Sequence, residues 1–219
     1  MKTVFTVRGI EMKYSMEMLD GLRDRVRSGM SEWRFVHTAE VEKMAVRLGE
    51  LYAPDKLDVL RAAALLHDVT KEKSTEEHFE IMKAYGVEIS ELDRISPKTL
   101  HAKTAALVIP DEFPEFADAE VISCVRWHTT GRADMTLCEA LIYLADYIDE
   151  SRKFDDCVIL RNYFWNELPQ NMTAEERERH LWQTILISFD FTVKSLVDED
   201  SLISPETVDA RNSVICRLR

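Results

Sequence analysis

Apolar residues recur along this chain at the three-to-four-residue spacing of helices, and strand-like alternation is confined to VFTV at 4–7. A first helix is predicted over about 15–28, stopping at Gly29. A second runs over 31–52. Val41, Met44, Ala45, Leu48, Leu51 and Tyr52 share its inward face, and so does His37, four residues before Val41. Pro54-Asp55 starts a third, whose LRAAALLHD at 60–68 is apolar nearly all round and therefore central. Ser74-x-x-Glu77, Thr136-x-x-Glu139 and Thr173-x-x-Glu176 are capping boxes, each opening a further helix.

Between these boxes, Ser96-Pro97 opens a helix carrying Leu100, His101, Ala105 and Val108, with Pro110 closing it. Another covers about 117–128 and aligns Val121, Val125 and His128; a short TTGR loop follows at 129–132. The Thr173 box starts a long helix with Leu181, Ile185, Phe189, Val193 and Leu196 on one face, and Ser204-Pro205 starts a terminal one. The pattern is all-α. It divides into an N-terminal helical segment (1–30), a core (31–164) and a C-terminal helical extension (165–219) packing on that core.

With 219 residues and 46% hydrophobic content, the chain can build a full core without disulfide or metal staples. Its net charge of -12 argues against a nucleic-acid polymer or an anionic membrane as partner, since both are held through Lys/Arg fields. A small phosphorylated ligand remains compatible, because a metal centre can make one pocket locally positive. Cys124, Cys138, Cys157 and Cys216 show no C-x-x-C spacing and read as reduced thiols. No signal-peptide core or membrane-length apolar run is seen, so a cytoplasmic protein is expected. A homodimer is compatible with these features.

The chemistry lies in the histidines. Of six, four (His37, His67, His101 and His128) end an apolar run or sit on an apolar helical face, and Asp68 follows His67 directly. Asp146 lies in LCEALIYLADYI (137–148), where the only other charge is the capping Glu139. A buried carboxylate without a partner is strongly disfavoured. It needs either an arginine such as Arg34 or Arg126, or a metal ion. Side chains from separate helices suit a metal site inside a bundle, and mixed imidazole and carboxylate ligands suit iron or manganese better than structural zinc. Six candidates exceed the needs of one ion, and Asp68 could bridge to a second. His78 and His180 read as surface residues. Trp33, Trp127, Trp165 and Trp182 read as core or groove wall.

The order H…HD…H…H…D resembles the HD superfamily of metal-dependent phosphohydrolases. RFVHT (34–38), AALLHDVTKE (63–72), LHAKTAA (100–106), WHTTGRADMTLCEALIYLADYIDESRKFDD (127–156) and VILR (158–161) are similar to a narrower group, the YqeK-type HD-domain bis(5'-nucleosyl)-tetraphosphatases of bacteria, symmetrical in their cleavage. The likeness covers about 31–161. Val69 and Thr70 stand where that family has an aromatic and a small residue, and Asp149 where glutamate is common.

The resemblance implies an HD-domain helical bundle and two metal ions, iron or alternatively manganese, held by His37, His67, Asp68, His101, His128 and Asp146. It also implies a hydroxide between the ions and cleavage of diadenosine tetraphosphate to two ADP. Asp68, Lys71 and Arg132 would carry catalysis, and Thr129, Thr130, Gly131, Arg132 and Arg152 would bind the dinucleoside polyphosphate. Two other readings stay open: an HD-domain phosphohydrolase acting on a nucleotide mono- or triphosphate, and a di-iron HD-domain oxygenase.

Overall fold

A computed structural model describes residues 5–7, 10–168 and 171–219 of the chain. The strand expected at 4–7 is β1 (Phe5–Val7), with Val4 outside the described residues. It pairs antiparallel with an unforeseen β2 (Ile10–Met12), placing Phe5 opposite Met12. The rest is helical: α1 (Met16–Ser28), α2 (Glu32–Tyr52), α3 (Leu57–Leu66), α4 (Thr75–Ala84), α5 (Glu91–Ile95), α6 (Leu100–Glu112), α7 (Ala119–Trp127), α8 (Leu137–Ile148), α9 (Asp155–Asn166), α10 (Ala174–Asp198) and α11 (Pro205–Leu218).

The centre is α3, packed against α1, α2, α7 and α8. Every side chain from Ala62 to Leu66 is fully enclosed, as an all-round apolar segment requires. Gly49 lets α2 approach this close, because a Cβ there would stand 2.7 Å from both Leu57 Cδ2 and Leu60 Cδ1. Asp58, buried near the start of α3, accepts from the Tyr14 amide at 2.8 Å and so ties the chain leaving the hairpin to the core. The three capping boxes all form, and a fourth, Ser90 with Asp93, opens α5.

The C-terminal helices α10 and α11 pack on one another, and α10 also packs on α8 and α9. The loop after α7 is fitted against them. Gly131 has φ +64°, and a Cβ would lie 2.6 Å from Phe189 Cζ, so both conformation and space demand glycine. Among the described residues no helix is long and apolar enough to cross a membrane.

Three expectations need correction. The helix foreseen from Ser96-Pro97 begins at Leu100, after a single 3₁₀ turn at Pro97–Thr99, and Pro110 lies inside it rather than ending it. Pro110 falls in the last turn, so the missing amide interrupts little helix. His78 is buried and shares the inward face of α4 with Met82, its Nδ1 2.8 Å from Thr104 Oγ1. His180 is also buried: the inward stripe of α10 begins at His180 and Leu181, and its Nε2–H donates to Phe164 O. Trp33, expected in the core or a groove wall, is 73% exposed and lines a groove.

Candidate metal centre

Five helices deliver side chains to one point. His37 comes from the second turn of α2, and His67-Asp68 from the end of α3. His101 opens α6, His128 follows α7, and Asp146 lies in the last turn of α8. The apolar all-round character of α3 and α8 carries His67 and Asp146 into the middle of the bundle. All four histidines and Asp68 are buried.

Asp68 divides the cluster. Its Oδ1 lies 3.4 Å from His101 Nε2 and 3.8 Å from His128 Nε2. Its Oδ2 lies 3.5 Å from His67 Nε2 and 3.8 Å from His37 Nε2. Asp146 Oδ1 joins the second group, 3.0 Å from His37 Nε2 and 3.8 Å from His67 Nε2. Two sets of donor atoms thus face the two oxygens of one carboxylate. The His67, Asp68 and His128 donor atoms, and those of His37, His67 and Asp146, are each near enough to one another to share an ion.

The backbone fixes the tautomers. A carbonyl only accepts, so His67 Nδ1–H donates to Ala64 O at 2.6 Å and His128 Nδ1–H donates to Val125 O at 2.7 Å. Each ring then presents an unprotonated Nε2 to the centre, as metal-ligating histidines do. His67 Nε2 is buried with no hydrogen-bond partner. An orphaned lone pair of this kind is costly unless a cation occupies the space it faces. The donor set therefore fits a transition metal of the borderline or hard class.

Two residues supporting His37 were not foreseen. Asp149, fully buried, places Oδ2 3.4 Å from His37 Nδ1, and Ser151 Oγ is 3.2 Å from the same atom. Asp149 Oδ1 accepts from the Ser151 amide at 2.8 Å, which anchors the carboxylate. This is the carboxylate–histidine arrangement that orients a metal ligand. The sequence signal was available: Asp149 falls one turn after Asp146, where glutamate was expected. The partner of Asp146 is Arg152, with Nη2 2.5 Å from Oδ1, rather than Arg34 or Arg126. Arg34 instead donates to Asp68 Oδ2 at 2.9 Å, and Arg126 pairs with Glu206 at 2.8 Å.

Among the other candidates, Lys71 Nζ lies 3.1 Å from His101 Nε2, and Thr129 Oγ1 lies 3.0 Å from the same atom. Burial lowers the pKa of Lys71, against the pull of Asp68 and Asp146. Arg132, expected at the phosphates, is directed elsewhere. Its Nε–H donates to both carboxylate oxygens of the buried Glu139 at 3.0 and 3.1 Å, and its Nη1 to Ala133 O. A carboxylate shut inside α8 draws the nearest guanidinium to itself. Thr130 is buried and bonds to Gly131 O, and Gly131 faces α10 and α11, so this part of the loop seats the extension rather than facing the ligand cluster.

Three cavities reach residues of the cluster: a small one of about 220 Å³ touches Asp68, and the two others share Arg152 and Phe154. The larger, about 710 Å³, reaches His37 and is walled by Trp33, Arg34 and Lys153. The smaller, about 320 Å³, reaches His128 and Asp146 and is walled by Thr129, Tyr147, Thr192 and Ser195.

The buried imidazoles have a consequence for pH. Burial lowers His128 to about 4, and lowers His67 and His101 as well. Where folding depresses a pKa, the unfolded chain takes up the proton more readily. The contribution to stability is then complete above about 6.5 and is lost as pH falls toward 4. His37 works in the opposite window. Burial acts to lower it, but Asp146 and Asp149 raise it to about 9, so its contribution is present below about 6.5 and lost as pH rises through 9. Metal-free protein is expected to melt at a lower temperature at pH 4.5 than at pH 7, with His128 alone accounting for about 2 kcal/mol. Thermal melts of chelator-treated protein check this, and equal melting temperatures at the two pH values would contradict it.

The sequence matches the HD domain family over residues 34–151. Among curated proteins, it is 33% identical to the symmetrical bis(5'-nucleosyl)-tetraphosphatase of Bacillus subtilis over 59% of this chain and 68% of that protein. It is 28% identical to the protein of the same name from Staphylococcus aureus, over 84% of this chain and 87% of the relative. A solved structure from Clostridium acetobutylicum, described as a predicted HD superfamily hydrolase involved in NAD metabolism, superposes with a TM-score of 0.78 at 30% identity. The superposition covers 90% of this chain and 97% of the other.

The chain therefore belongs to the HD-domain family and is an all-α hydrolase of that kind. Within the family it groups with relatives named symmetrical bis(5'-nucleosyl)-tetraphosphatase.

Proposed function

We propose that this protein cleaves diadenosine tetraphosphate symmetrically to two ADP, using two transition-metal ions, iron or alternatively manganese, held by the six residues of the cluster. The observation that carries the reading is the division of Asp68: Oδ1 faces His101 and His128, while Oδ2 faces His37 and His67. A single-metal site would need only the second group with Asp146. Burying His101 and His128 with their Nε2 atoms 3.1 Å apart serves no such site. When bound, the ions supply an acidified water at neutral pH and neutralise phosphoryl oxygens.

The protein's own residues do the rest. The carbonyls of Ala64 and Val125 keep His67 and His128 in the ligating tautomer, and Asp149 orients the His37 ring. Lys71, beside His101, places a cation where charge develops on a phosphoryl oxygen. Arg152 lines both cavities and is the cation suited to a phosphate on either side. Thr129 offers a hydroxyl at the mouth of the smaller cavity. The two cavities adjoin at Arg152 and Phe154, so a long phosphate chain can pass from one to the other beside the cluster and leave a nucleoside end in each.

Cleavage at the middle of the chain gives two ADP, whereas attack one phosphate nearer an end gives AMP and ATP. Anion-exchange chromatography of the products of metal-loaded enzyme distinguishes them. ADP alone is expected. AMP with ATP, or hydrolysis only of nucleoside mono- or triphosphates, would overturn the reading in favour of another HD-domain phosphohydrolase.

A further inference from the structure

We infer that the larger cavity is a nucleoside subsite in which the base of one ADP half stacks on Trp33 and Phe154. The inference rests on the function proposed above and adds the recognition element to it.

Exposed aromatics are the first observation. Trp33 is 73% exposed and Phe154 69% exposed, and both wall one cavity although they lie far apart in sequence. Trp33 is the second residue of α2. Phe154 precedes α9 without capping it through its side chain. Large aromatics kept in water beside a cavity are the platform on which nucleobases stack, and every base has a face to offer.

The second observation is continuity with the reaction centre. The same cavity is walled by one ligand of the cluster, His37, and by Arg34 and Arg152, which pair with the ligands Asp68 and Asp146. Arg34 links the two ends: its guanidinium lies 4.8 Å from the Trp33 ring centroid and donates to Asp68 Oδ2. Its Nε is buried and has no partner, a donor left for an incoming acceptor. Arg152 lines the same cavity. A ligand that is anionic at the inner end and aromatic at the outer end matches this order of cations then rings. A volume of about 710 Å³ lies within the range of small-ligand pockets and holds one nucleoside diphosphate. The acidic wall residues do not reverse the match, since Glu40 is paired with Lys43 at 2.6 Å and Glu150 with Arg161 at 3.4 Å.

Calorimetric titration tests this with manganese-loaded protein, with ADP as the probe and inorganic pyrophosphate as its base-free counterpart. ADP should bind more tightly than pyrophosphate to the parent. Trp33→Ala and Phe154→Ala should each weaken ADP about tenfold, the scale of losing one base–aromatic stack. Pyrophosphate affinity and metal content should not change, and Trp33→Phe should restore most of the ADP affinity. Equal ADP affinity in parent and Trp33→Ala, or an equal loss for pyrophosphate, would overturn the subsite. A parent enzyme that shows this binding pattern but cuts diadenosine tetraphosphate to AMP and ATP refutes the proposed reaction while supporting the stacking site.

Discussion

Asp68→Ala is expected to remove both metal ions and reduce turnover to the detection limit. Each oxygen of this carboxylate faces a different pair of imidazoles, so its loss opens both sets of donors at once. The variant also leaves the Arg34 guanidinium without its anion in a half-buried position, which costs stability in its own right. Asp68→Asn separates the two effects. It keeps the volume and one acceptor oxygen but cannot bridge two cations. Metal content by plasma emission spectrometry should fall in both variants, while the melting temperature of metal-free protein falls most in Asp68→Ala. Full metal content in Asp68→Asn would remove the bridge from the account.

Single replacement of His101 or His128 is expected to give a different and more selective defect. His37, His67, Asp68 and Asp146 remain as a complete set around Oδ2 of Asp68, so one ion should stay and the other should go. Metal content is then halved and turnover falls by about 10²-fold or more, the scale of losing one charge stabiliser at the reacting phosphate. The measured quantities are metal per chain and initial rate on diadenosine tetraphosphate, taken on the same preparation. Near-parental activity with one ion would make the single-metal reading the better one.

Much of this site was legible in the sequence because helical periodicity fixes which residues share a face. His37 four residues before Val41, and His128 three after Val125, could point nowhere but inward once the apolar stripes were drawn. The Asp146 position followed from an absence of other charges in the apolar turns of α8. Second partners were harder to read. Periodicity places a residue on a face but says nothing about which cation from another helix will meet it. Arg152 rather than Arg34 therefore took Asp146, and buried Glu139 drew Arg132 away from the ligand cluster.

The surface assignments of His78 and His180 failed for a related reason. Each lies in a charged first or second turn, and only the packing of α4 on α6 and of α10 on α9 turns that turn inward. Trp33 took the groove-wall alternative: at the start of α2 it remains in water and lines a cavity.

The central claim is that one carboxylate divides the cluster into two metal positions. Anomalous diffraction from crystals of protein purified without oxygen, collected across the iron and manganese edges, tests it directly. The account predicts two anomalous peaks per chain, one beside each oxygen of Asp68, with His101 and His128 at one and His37, His67 and Asp146 at the other. A single peak among His37, His67, Asp68 and Asp146, with His101 and His128 left without metal, would contradict it.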